Sequence, residues 1–174
     1  LGYADVGLDD GPLFRGRRPK IETIDSHTIK YRVDFDNLNL ADDSAALCVS
    51  RPTNPTGNVI SDNEVRELQR LAKAANVPLI IDGAYGQPFP GIVFNDATPL
   101  FDDNTVVCLS LSKLGLAGIR TGIVVGPAEL ISALSKMNAI TNLAPGSAGP
   151  GLMYDLVKSR QILSLSREHV QPYY

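Results

Sequence analysis

The chain has 174 residues, 44% hydrophobic and 20% charged, with a formal net charge of -3. That is enough apolar material for one folded domain with a real core. Acids and bases are mixed along it, so there is no basic stripe for a nucleic-acid backbone, and no apolar run is long enough to span a bilayer.

Lys30 to Phe35 (KYRVDF) alternates polar and apolar residues, which predicts a half-buried strand. Ala45 to Ser50 (AALCVS) is a short apolar run and predicts a buried strand, followed by the turn-rich RPTNPTG. Ser61 with Glu64 three residues later has the form of a capping box. Val65, Leu68, Leu71 and Ala72 then give a helical stripe that should end near Asn76. Val77 to Ile81 (VPLII) predicts a second buried strand, ending at Asp82 and entering the loop GAYGQPFPG. Thr105 to Leu111 (TVVCLSL) predicts a third, running into Ser112, Lys113 and the glycine-rich turn Gly115 to Gly118. Thr121 to Gly126 reads as a fourth strand. A helix follows from Pro127 to about Ile140, and another from about Gly151 to Val170 carrying Leu152, Leu156, Ile162 and Leu165.

Apolar strands alternating with helices predict an α/β domain whose largely parallel sheet is covered on both faces. Cys48 and Cys108 lie in apolar runs and are expected to be buried core thiols in a reducing cytoplasm, with a disulfide left open. The start at Leu1 and the stop after HVQPYY read as cuts in a longer protein.

In sheets of this kind ligands sit beyond the carboxyl ends of the strands. Three polar groups are predicted at that edge: Asn54, Asp82 and Lys113. A lysine directly after a buried strand can become a nucleophile if its surroundings lower its pKa, although an ordinary surface lysine has the same sequence. Asp82 can cap a turn, bind a metal or pair with a cationic ring nitrogen. Tyr85 can donate to a ligand oxygen or cover apolar surface. Asn54 sits in a loop stiffened by two prolines and can donate through its amide. Ser110, Ser112 and Arg120 around the glycine-rich turn suit a phosphate, or else cap helices and pair externally.

These residues fall in three motifs: NPTG at Asn54 to Gly57, DGAYG at Asp82 to Gly86, and SLSKLGLAGIRTG at Ser110 to Gly122. In order and spacing the chain resembles the class I and II aminotransferases of fold type I, which use pyridoxal 5'-phosphate (PLP). The resemblance covers nearly the whole chain. The interval from Lys113 to Arg120 is one residue shorter than in most of the wider family.

The resemblance implies a three-layer α/β/α sandwich with a mostly parallel sheet, here part of a PLP-binding large domain. It implies Lys113 as the Schiff-base and proton-moving residue, and Asp82 as the partner of the pyridine nitrogen. Tyr85 and Asn54 then bond the phenolic oxygen, and Ser110, Ser112 and Arg120 hold the phosphate. No metal is implied.

SRPTNPTGNVI, PFPGIVF, SLSKLGLAGIR and NLAPGSAGP resemble the branch that moves an amino group between valine or alanine and a 2-oxo acid such as pyruvate. A homodimer is expected. The family's phosphate loop and ring-stacking aromatic are expected before Leu1, with Tyr3 near that segment, and its substrate-carboxylate arginine after Tyr174. The piece alone is therefore expected to be inactive.

Three other readings remain: a PLP lyase or synthase, the aminotransferase-like sensing domain of a transcription regulator, and a nucleotide-binding α/β domain. The last predicts a GxGxxG or Walker pattern, which the sequence lacks.

Overall fold

The computed structural model describes residues 13–174; Tyr3 lies outside them. The described residues divide into two units, 13–40 and 41–174. In the first, Lys20–Thr23 (β1) and Ile29–Arg32 (β2) form an antiparallel hairpin, Lys20 opposite Arg32 and Thr23 opposite Ile29. The connection turns where the Asp25 carboxylate accepts from the His27 amide at 2.8 Å. The predicted strand Lys30 to Phe35 is thus shorter at its carboxyl end. β1 has no apolar alternation to announce it, because all four of its residues are exposed.

The second unit is built on a four-stranded sheet of Leu47–Ser50 (β3), Leu79–Asp82 (β4), Thr105–Ser110 (β5) and Gly122–Val125 (β6). The order is β3-β4-β5-β6. The first three strands are parallel, with Ser50 level with Asp82 and Asp82 level with Cys108. β6 runs antiparallel to β5, with Ser110 opposite Gly122. The reason is length: residues 111–121 cannot hold the crossover that a parallel neighbour needs.

Asp62–Ala74 (α1) connects β3 to β4. Ser61 caps it as the sequence predicts, its side chain accepting from the Glu64 amide while the Glu64 carboxylate accepts from the Ser61 amide. Val65, Leu68 and Ala72 are buried, and Gln69 donates to Thr105 on β5 at 3.0 Å, which fixes the sheet face that α1 covers. Leu79 and Ile81 point to this face and are buried. Truncating Leu68, which is fully buried, would cost about 2–5 kcal/mol.

The opposite face departs from expectation. Cys48 is exposed and Cys108 is only half-buried, and neither is in a disulfide. Val124 is exposed there too. Val106 on this face is buried, but the two cysteines are not core filler.

Ala128–Asn142 (α2) forms where predicted, after Pro127, but none of its residues is buried. The long helix expected over 151–170 is broken. Ala148–Lys158 (α3) ends at Arg160, whose φ of 63° is left-handed, and Gln161–Leu165 (α4) leads into a π-helical turn at Ser166–Val170. Ile162 is buried as expected and Leu156 packs against the same second core, which Met153 joins with Phe89, Leu109, Leu111 and Leu114, while Leu152 is exposed.

Candidate active site

The parallel register puts the carboxyl ends of β3, β4 and β5 along one edge. Asp82 is the last residue of β4, with an exposed side chain. The Ser50 hydroxyl donates to Asp82 Oδ2 at 3.3 Å, and the Ala84 amide donates to Oδ1 at 3.1 Å. Both carboxylate oxygens are thus oriented from the protein side. Cys108 is the neighbour of Asp82 on β5. Burial pushes the Cys108 thiol up, and the negative field of Asp82 adds to it. Cys108 therefore stays a neutral thiol at physiological pH.

Lys113 lies in a short 3-10 turn, Ser112–Leu114, between Leu111 and Leu114, which anchor the turn in the second core. Its amine is 4.8 Å from the centre of the Tyr85 ring, a cation–π contact. Gly115 closes the turn at a φ of 85°, a conformation that a side chain would strain. Arg120 Nη1 donates to the Ser112 hydroxyl at 3.3 Å, and the Ser112 amide donates to the Ser110 hydroxyl at 3.2 Å. A guanidinium and two hydroxyls thus stand in one chain of contacts.

Asn54 is exposed in its loop, and the Asn54–Pro55 peptide is cis. That loop is closed by Thr53 N to Asn58 O at 2.9 Å and by Gly57 N to Thr53 O at 2.7 Å. The structure therefore joins Lys113 to Tyr85, and Arg120 to Ser112 and Ser110. Asp82 and Asn54 share the edge with them without direct contact among the described residues.

Two neighbours escaped the sequence reading. Ser50 is one; its parallel register with Asp82 was the available signal. The other is Arg51, buried beneath the Asn54 loop and bonded to Asp62, the first residue of α1. Asp62 is partly exposed, so losing it would chiefly strand a buried guanidinium donor, at about 1–3 kcal/mol. Burial works to raise the Asp62 carboxyl, but hydrogen bonds from Thr98 and Arg51 outweigh it and hold it down from 3.8 to about 2.

Because the folded value lies below the unfolded one, this contribution is complete above about pH 4 and is lost as pH falls toward 2. It amounts to at most about 2 kcal/mol. Urea titrations from pH 6 to 2 should show that step in the wild type, and Asp62→Asn should flatten it. An unchanged slope would show that Asp62 is not held as described.

A cavity of about 310 Å3, lined by Ile81, Phe89, Phe101, Val107, Leu109 and Val125 among others, lies on the α1 side of the sheet. Asp82 projects from the other face. The chemistry therefore gathers at the strand ends and not in this apolar space. The described residues contain no group of acids, cysteines and histidines able to hold a metal, and no helix among them is long and apolar enough to cross a membrane.

Comparison with known proteins agrees with this geometry. The profile of the family "Aminotransferase class I and II" matches residues 13–167. The chain is 48% identical to valine–pyruvate aminotransferase of Escherichia coli K12 over 174 residues, covering all of this chain and 42% of that protein. It is 33% identical over 113 residues to histidinol-phosphate aminotransferase of Rhodopseudomonas palustris BisA53, covering 63% of this chain and 31% of that one.

Among solved structures, valine–pyruvate aminotransferase of Salmonella typhimurium LT2 superposes with a TM-score of 0.85 at 49% identity, over 90% of this chain and 40% of that one. Aspartate aminotransferase of Thermus thermophilus superposes at 0.65 with 20% identity, over 76% and 35%, which speaks for the fold alone. The chain thus spans less than half the length of these relatives. A family match across most of the described residues, on an α/β sheet with its chemistry at the strand ends, makes this chain a member of the class I and II aminotransferases, the PLP-dependent family.

Proposed function

We propose that this chain carries the PLP site of an enzyme that moves an amino group between a small aliphatic amino acid, valine or alanine, and a 2-oxo acid such as pyruvate. The observation that carries the reading is the convergence of an amine, a phenol, a carboxylate and a guanidinium–hydroxyl cluster on one strand edge. The donor set fits the cofactor: an amine for its aldehyde, a carboxylate for its ring nitrogen, and cationic and hydroxyl donors for its phosphate. The choice of substrate is supported by the 48% identity to the valine–pyruvate enzyme.

When bound, PLP supplies an electron sink for the electron pair released at the substrate α-carbon. The chain's own residues do the rest. Lys113 Nζ would hold the cofactor through its aldehyde and, when free as an amine, would serve as the base that moves the proton at the substrate α-carbon. The Asp82 carboxylate, held in place by Ser50 and the Ala84 amide, would accept from the ring nitrogen and favour its protonated form. The Tyr85 hydroxyl and the Asn54 amide would donate to the phenolic oxygen. Ser110, Ser112 and Arg120 would hold the phosphate.

In this reading residues 1–174 form part of a PLP-binding large domain. The intact enzyme is a cytoplasmic homodimer, and the two free thiols suit that compartment.

Borohydride reduction of the intact enzyme, meaning a polypeptide of the relatives' length containing this sequence, should fix the cofactor on one peptide. Mapping is expected to find the adduct on Lys113. An adduct on any other lysine would overturn the assignment.

A further inference from the structure

Among the described residues, Arg51 is the one charged side chain that is buried, at 7% exposure. Every nitrogen of its guanidinium is used. Nε donates to Ile60 O at 2.7 Å, Nη1 donates to Thr98 O at 2.9 Å, and Nη2 donates to Asp62. Asp62 is held in turn by the Thr98 amide at 3.1 Å and by the Thr98 hydroxyl.

Ile60 to Asp62 is where the Asn54 loop ends and α1 begins, and Arg51 is where that loop starts. The side chain therefore spans the mouth of the loop and ties its two ends together. The main chain of Arg51 faces the other half of the site. Its amide donates to Asp82 O at 2.8 Å. Its carbonyl lies so close to Gly86 that a Cβ there would come within 2.4 Å of the oxygen. Gly86 directly follows Tyr85. One residue thus adjoins the Asn54 loop, the end of β4 and the Tyr85 turn.

We propose that Arg51 is a positioning residue that sets the place of Asn54 relative to Asp82 and Tyr85. The proposal rests on the cofactor reading above, in which Asn54 and Tyr85 both address one oxygen. A planar fork can reach three acceptors on two segments at once, and an ammonium on a flexible stem cannot. Lysine at position 51 keeps the charge and loses the geometry.

The readout is the pH midpoint of the bound cofactor's visible band in the intact enzyme, because a donor to the phenolic oxygen lowers it. Four variants are compared with wild type: Arg51→Gln, Asn54→Ala, the two combined, and Leu68→Ala. The last loosens α1 without touching the loop. Arg51→Gln is expected to raise the midpoint by roughly half a unit or more. The double variant should go no further than Asn54→Ala alone, since Arg51 acts through Asn54. Leu68→Ala should lower stability and leave the midpoint in place. If Arg51→Gln does not fold, Arg51→Lys takes its place in the same cycle.

A second arm needs no cofactor. In the apo protein, hydrogen exchange at the Thr53 and Gly57 amides should quicken about tenfold or more in the Arg51 variant, with the β4 amides unchanged. An unmoved midpoint in a variant that still holds cofactor, additive shifts in the double variant, an equal shift in Leu68→Ala, or unchanged exchange at Thr53 and Gly57 would each overturn the proposal. A wild-type enzyme with no visible band would instead refute the cofactor reading, and the exchange arm would then decide the role of Arg51 in the loop.

Discussion

Lys113→Ala in the intact enzyme is expected to lower turnover by about ten-thousandfold or more. Proton transfer by a positioned side chain contributes roughly 10²–10⁴ in rate, and in the proposed reading the same amine also anchors the cofactor. The fold should survive the change. Lys113 is only half-buried, and the anchors of its turn are Leu111 and Leu114, which the substitution leaves alone. The loss should therefore appear in kcat, with the thermal midpoint of the cofactor-free protein near that of wild type. The test is single-turnover kinetics with valine beside a melting curve. Turnover within tenfold of wild type would remove Lys113 from the reaction.

Asp82→Ala should come next in size, costing on the order of 4 kcal/mol in the barrier, about a thousandfold. A protonated ring nitrogen needs a negative partner, and no other carboxylate is level with Asp82 on β3 or β5, where Ser50 and Cys108 stand. Asp82→Asn separates charge from shape, since the amide keeps the volume and some of the bonds to Ser50 and Ala84 but carries no charge. Both variants should be slow. A fast Asp82→Asn enzyme would show that the carboxylate is a structural cap, which its bond to the Ala84 amide also suits. Folding should change little, because the side chain is exposed.

Much of this arrangement was legible in the sequence because its determinants are local. Apolar runs bounded by turn residues located β3 to β6, and the Ser61–Glu64 pair located the start of α1 to the residue. The strand-end positions of Asp82 and Lys113 followed from those runs. What escaped depended on contacts far apart in the chain. β1 is a strand because β2 pairs with it, and its own side chains are all exposed. The break at Arg160 comes from one left-handed residue that carries no glycine or proline to mark it. The exposed face bearing Cys48 looks apolar in sequence, and only the assembled sheet shows which side α1 covers. Arg51 read as a loop residue because its acceptors lie at positions 60, 62 and 98. The direction of β6 is different: the short connection of residues 111–121 excluded a parallel neighbour and could have been used.

That antiparallel return also bears on how the site can change over time. Ser110 pairs with Gly122, and the Leu111 amide donates to Thr121 O at 3.1 Å, so the segment carrying Lys113 and Arg120 is pinned at both ends by a single ladder. Loop-closure entropy grows slowly, about 0.6 kcal/mol for each doubling of length. By closure entropy alone, removing or adding one residue between the pins costs little. It does alter the separation of the amine from the guanidinium, and so, in the proposed reading, which spacing of aldehyde and phosphate the segment would grip. In that reading the length of the Lys113–Arg120 interval answers to the geometry of the bound molecule as well as to folding.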